Sequence, residues 1–167
     1  MPIKLSLASA PISLEERYGK FSGAANTEPS FALTLLAAVA RNAGHAVQCV
    51  EAASLNLSVQ ETLQKILSFS PDMVGISATT AGVQSAAELA EKIKSSSPST
   101  LVMIGGCHAT ALPEETLQTF PSFDLAVVGE GEETLVELLK EFEEKHRVPA
   151  DSAGTVVRLP DGTIKRN

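Results

Sequence analysis

Residues 101–115, LVMIGGCHATALPEE, decide how the rest of this chain is read. Residues 101–104 are apolar throughout and read as a buried strand, which stops at Gly105 and Gly106. A polar turn, Cys107-His108-Ala109-Thr110, follows, and Pro113 opens a helix. Two adjacent glycines at a strand end remove both side chains where something must come close to backbone. In an open α/β sheet that place is the carboxyl edge, where ligands sit. The plainer alternative is that the two glycines make only a tight strand-to-helix turn.

The flanking chain repeats the strand-then-helix unit. Residues 3–8 alternate apolar and polar and end before Pro11. Residues 9–30 have no periodicity and hold the only tyrosine, Tyr18. A stretch that long without structure points to a functional or flexible loop. Residues 31–42 put Leu33, Leu36, Ala37 and Ala40 on one helical face, with Ser30 as cap and Gly44 past the end. Residues 46–52 are a second strand. Ser58 and Glu61 form a capping box for a helix carrying Leu63, Ile66 and Leu67. Residues 73–77, MVGIS, are a third strand, followed by small hydroxyls and a helix with Ala86, Leu89, Ala90 and Ile93. Residues 125–128 are a fifth strand, running through Gly129-Glu130-Gly131-Glu132 into a helix that ends near Lys145.

Five strands alternating with helices predict an α/β fold with a parallel sheet. Strands apolar on both faces predict layers of helix on each side. Right-handed crossovers favour a flavodoxin-like (Rossmann-like) three-layer sandwich of five strands in the order 2-1-3-4-5. Residues 1–150 make that domain. In residues 151–167, Asp161-Gly162 between two β-prone runs predicts a hairpin, or the start of a linker to a catalytic domain beyond this sequence.

Composition narrows the function. The chain has 167 residues, enough for one domain burying roughly 70% of its unfolded surface. Aromatics are only 4% with no tryptophan, so the core is aliphatic. A net charge of −7 argues against a nucleic-acid partner. No apolar run is long enough for a membrane span and no signal sequence appears, so a cytoplasmic protein is expected. The two cysteines, Cys49 and Cys107, match no metal spacing and suggest no disulfide framework.

The predicted carboxyl edge is lined by residues 9–30, 53–58, 77–83, 105–112 and 129–132. The last three loops contain no lysine or arginine, and the last is acidic. Neither a P-loop nor a complete dinucleotide fingerprint is present. Gly129-Glu130-Gly131 matches the first half of that fingerprint but puts a carboxylate where phosphates would lie. A phosphoacceptor aspartate after strand three and a lysine after strand five are missing. What remains is an edge of backbone and hydroxyls, suited to a large, mostly neutral ligand. Ser77, Thr79, Thr80 and Thr110 are its candidate hydrogen-bonding side chains. Gly105, Gly106, Gly129 and Gly131 are its candidate backbone contacts, with Glu130 between the last two. Helix capping is the simpler explanation for part of the Ser/Thr run, and for Glu132 and Glu133.

Taken together, these motifs resemble the N-terminal cobalamin-binding domain found in front of radical S-adenosylmethionine enzymes. The matching pieces are Gly105-Gly106-x-His108-Ala109-Thr110, Leu112-Pro113-Glu114-Glu115, Phe123-Asp124 and Val127-Val128-Gly129-Glu130-Gly131-Glu132. The earlier Glu15-Glu16-Arg17-Tyr18-Gly19 is similar to the group of the anaerobic magnesium-protoporphyrin monomethyl ester cyclase. The resemblance implies cobalamin as cofactor and an adjoining radical domain as partner. It places S-adenosylmethionine and a 4Fe-4S cluster in that missing domain. Two features depart from the pattern. Position 107, commonly proline, is Cys107, for which a buried inert thiol is the ordinary reading. The Asp-x-His-x-x-Gly segment that supplies a cobalt-ligating histidine in the better-known cobalamin fold has no counterpart in residues 9–30. The expectation is therefore cobalamin without a protein histidine on cobalt, with His108 bonding the turn or the ligand tail. His45 and His146 read as surface residues. No catalytic residue and no metal-ligating residue is assigned, and no turnover is expected from this chain alone. The alternative is a degenerate Rossmann-like docking module without cofactor.

Overall fold

The computed structural model describes residues 2–24 and 28–167. Five parallel strands form the centre: β1 (Lys4–Ser9), β2 (Ala46–Val50), β3 (Met73–Ser77), β4 (Leu101–Gly105) and β5 (Leu125–Val127). Their order is β2-β1-β3-β4-β5, the order expected from right-handed crossovers.

The sheet has seven strands, however, not five. β6 (Thr155–Arg158) pairs antiparallel with β5, and β7 (Ile164–Arg166) pairs with β6. The predicted hairpin thus extends the sheet. Val156 and Val157 are both fully buried, one in each of the two cores. Without β6 the outer edge of β5 would expose unpaired backbone groups, which the hairpin covers. Lys165 and Arg166 on the new edge strand are charged, which discourages further pairing.

Helices cover both faces. α2 (Phe31–Asn42) and α7 (Glu132–Lys145) bury Leu33, Ala37, Leu135, Leu138 and Leu139 against Leu5, Leu7, Met73, Leu101 and Met103. On the other face, α3 (Val59–Phe69), α4 (Val83–Ser96) and α6 (Pro113–Thr119) pack on Val74, Ile76, Val102 and Ile104. The strands alternate between these cores with period two. Each fully buried aliphatic side chain contributes about 1.5–3 kcal/mol, so two mainly aliphatic cores, one of them with the fully buried Phe123, hold the sandwich together.

Two local readings are corrected. Residues 9–30 are not wholly irregular: α1 (Leu14–Tyr18) and a 3-10 turn (Gly19–Ala24) lie within them. α1 has a capping box between Ser13 and Glu16, visible in the sequence as Ser-x-x-Glu but too short to show periodicity. Residues 25–27 of that loop are outside the described residues. The expected polar turn after Gly106 is a short helix, α5 (Cys107–Ala111). Gly106, at φ +93°, reverses the chain so that the helix starts at once, and its carbonyl accepts the N–H of Thr110 at 3.0 Å. The Ser58–Glu61 capping box opens α3 as predicted.

Candidate cofactor-binding site

The three central strands end together. Ser9, Ser77 and Gly105 are adjacent in register, and two residues earlier so are Leu7, Gly75 and Met103. Above this terrace, between α2 and α7, a cleft of about 460 Å³ opens. Its apolar lining includes Leu7, Leu33, Leu36, Met103, Val127 and Leu135. Its rim is Ser77, Gly105, Gly106, Cys107, Thr110, Gly129, Glu130, Gly131 and Glu132.

Seven of the ten residues singled out in the sequence therefore meet at one opening: Ser77, Gly105, Gly106, Thr110, Gly129, Glu130 and Gly131. Thr79, Thr80 and His108 do not line it. His108 is buried, with Nδ1 3.2 Å from the Thr80 hydroxyl, so these two are occupied with each other. Thr79 precedes the short 3-10 turn at residues 80–82 and makes no capping bond with its side chain.

The glycines differ in what they do. A Cβ at Gly105 would meet nothing within 4 Å, so the space beside it is open cleft. Gly129 is likewise open, at φ +78°. Gly106 is structural: a Cβ there would lie 2.8 Å from the Ala78 carbonyl oxygen. The Thr110 hydroxyl accepts the Gly129 N–H at 3.1 Å and joins the rim across β4 and β5. Bare backbone at Gly105 and Gly129, over an apolar slot, is a cradle that side chains would fill, and it fits a broad ligand resting on the rim.

Cys107 is exposed and borders the cleft, against the expectation of a buried thiol. Cys49 is on the edge strand β2, where partial burial pushes its thiol up. Glu130 and Glu132 make the rim acidic. Among the described residues no group of three or more metal-ligating side chains forms. His45 accepts the Ile3 N–H at the opposite end of β1, and His146 ends α7. Sequence reasoning missed the slot itself, since the faces of Leu36 and Met103 depend on how α2 and α7 dock.

A parallel sheet whose carboxyl rim is cut back to backbone over an apolar slot defines a ligand-binding domain of Rossmann-like architecture. A family model described as B12 binding domain matches residues 22–139, and the chain belongs to that family. Over 113 residues it is 35% identical to an uncharacterized methyltransferase of Pyrococcus horikoshii, covering 68% of this chain and 24% of that protein. Over 118 residues it is 30% identical to the anaerobic magnesium-protoporphyrin IX monomethyl ester cyclase of Rubrivivax gelatinosus, covering 69% and 21%. The chain thus spans a quarter or less of the length of these relatives. Among solved structures, the cobalamin-dependent S-adenosylmethionine radical enzyme OxsB, with aqua-cobalamin and S-adenosylmethionine bound, superposes with a TM-score of 0.80. That match has 19% identity and covers 99% of this chain and 22% of the other. A cobalamin-binding protein from Desulfitobacterium hafniense gives 0.59 at 17% identity, covering 84% and 59%. At these identities the structural likeness concerns the fold.

Proposed function

We propose that this chain is the cobalamin-holding domain of a radical S-adenosylmethionine enzyme, and that it holds the corrinoid with no protein histidine on cobalt. The observation that carries this reading is the glycine-lined rim over an apolar slot in a chain of the B12-binding family. A cleft of about 460 Å³ has the size of a small-molecule pocket and is smaller than a whole corrinoid. The cleft and its rim together would hold the corrinoid. Ser77, Thr110 and the backbone of Gly105, Gly106, Gly129 and Gly131 hold it. Bound there, the corrinoid supplies a cobalt centre for methyl transfer or radical chemistry.

This chain's own part is to bind, orient and shield. Leu36, Val127 and Leu135 exclude water from the slot. Glu130 and Glu132 disfavour polyphosphate-bearing cofactors. None of the three histidines borders the cleft, which supports cobalt without a protein imidazole. Turnover belongs to an adjoining radical domain that carries S-adenosylmethionine and a 4Fe-4S cluster. Two cysteines in this chain are too few for such a cluster. The small share of its relatives that the chain covers supports that partner. A cytoplasmic location is part of the same reading; no described helix is long and apolar enough to cross a membrane.

The test is to add hydroxocobalamin to the purified protein, remove excess by gel filtration, and record the visible spectrum, with titration for weak binding. Retained corrin bands near one equivalent are expected. A second reading, a docking module without cofactor, draws on Phe21 and Phe31, which are 78% and 80% exposed. Failure to retain or titrate any corrin would favour it.

A further inference from the structure

We infer that Asp124 is a positioning residue for the cleft, acting through β5 from the opposite end of that strand. Its effect on cofactor binding rests on the cobalamin reading above; its effect on β5 does not. Asp124 directly precedes β5 and closes a ring with the neighbouring strand. Its N–H donates to the Val102 carbonyl at 2.8 Å, and its Oδ2 accepts the Val102 N–H at 2.7 Å. The Lys94 ammonium of α4 lies 2.5 Å from the same oxygen and also donates to the Thr100 carbonyl at 2.9 Å. The Asp124 and Lys94 side chains are 19% and 26% exposed, so the charge that strengthens these bonds is partly shielded from water. Asp72, just before β3, closes the same ring with Lys4 of β1, at 2.9 and 2.8 Å.

The two rings stand at unequal seams. β1 and β3 share five aligned pairs, and so do β3 and β4. β4 and β5 share two, Met103 with Leu125 and Ile104 with Ala126. The β4–β5 seam thus owes much of its hold to its ends, the Asp124 ring at one and the Thr110–Gly129 bond at the other. The cleft straddles that seam: Met103, Gly105 and Thr110 are on one side, Val127, Gly129 and Leu135 on the other. β5 spans three residues and pairs with β6 along its outer side, so it moves as a short rod with the hairpin. A rod released at one end tilts at the other. Loss of the Asp124 ring therefore shifts Val127 and Gly129 against Gly105. Loss of the Asp72 ring leaves a seam that five pairs still hold.

The experiment compares the parent with Asp124→Ala, Asp124→Asn and Asp72→Ala. Two quantities are measured: amide hydrogen exchange without ligand, and affinity by titration with hydroxocobalamin. In Asp124→Ala, protection across residues 125–131 is expected to fall about tenfold more than in the rest of the sheet, the equivalent of one charge-assisted hydrogen bond. Corrin affinity should fall roughly fivefold or more. Asp124→Asn keeps an oxygen for the Val102 N–H and should recover part of both losses. Asp72→Ala should lower the thermal midpoint and leave affinity close to that of the parent. Protection lost evenly over the sheet, or lost equally at residues 125–131 in Asp72→Ala, overturns the proposal. Selective loss of protection with unchanged affinity overturns the link to the cleft. If Asp124→Ala does not fold, Asp124→Asn decides by the same comparison, a selective loss supporting the proposal and an even one overturning it. Failure of the parent to bind any corrin removes the cobalamin reading, and exchange still decides whether Asp124 places β5.

Discussion

The hydroxyl of Thr110 accepts the backbone N–H of Gly129 at 3.1 Å, so the loop after β4 and the loop after β5 are fastened at the rim of one cleft. The bond leaves the threonine proton free to donate to a ligand. Thr110→Val keeps the shape and removes both roles. Corrin affinity is expected to fall roughly fivefold or more, the equivalent of one net hydrogen bond. Thr110→Ser should restore most of it. Visible titration of the three proteins checks this.

Gly105 and Gly106 are neighbours with opposite duties. Gly105→Val fills open cleft and should abolish cobalamin retention while leaving the thermal midpoint close to that of the parent. Gly106→Ala should lower the midpoint by several degrees, because its Cβ would strike the Ala78 carbonyl at positive φ. Equal melting losses in both would show that the two glycines share a purely structural role. Gly129→Val should also cost retention, with a strain penalty from its φ of +78°.

The His108–Thr80 contact ties α5 to the start of α4 and does not border the cleft. His108→Ala should therefore cost about 1–3 kcal/mol in denaturant unfolding, from a lost hydrogen bond and a small cavity. The visible spectrum of bound cobalamin should not change. A shift of the kind produced by losing an axial nitrogen would sink the histidine-free assignment.

Two carboxylates anchor the segment that leads into the hairpin, Glu141 from α7 and Asp151 to Lys165 of β7. Burial opposes the charge of Glu141, but bonds from Lys145, Ser152 and the Ala150 N–H outweigh it and keep its carboxyl below the ordinary range. A hydrogen bond from Lys165 does the same for Asp151. A carboxylate whose folded pKa is depressed binds protons first in the unfolded state. Its contribution is thus complete above the ordinary carboxylate range and is lost as pH falls through that range and below. Thermal midpoints should fall in acid. Glu141→Gln should flatten part of that fall and lower stability by about 1 kcal/mol at neutral pH.

Much of this protein was written locally. Val and Ile runs bounded by glycine and proline, the Ser58–Glu61 box and the Leu33-Ala37-Ala40 stripe are short-range patterns, so strands, helices and their alternation follow from nearest neighbours along the chain. The candidate glycines were legible for the same reason, since a strand end without side chains is a local fact. Tertiary structure alone decided the rest. Strands apolar on both faces do not say which face opens, and the docking of α2 against α7 set the slot beside Leu36 and Met103. That docking also left Thr79, Thr80 and His108 outside, though they neighbour rim residues in sequence. The hairpin joined the sheet because β5 had an unpaired edge, and an unpaired edge exists only once strands have assembled.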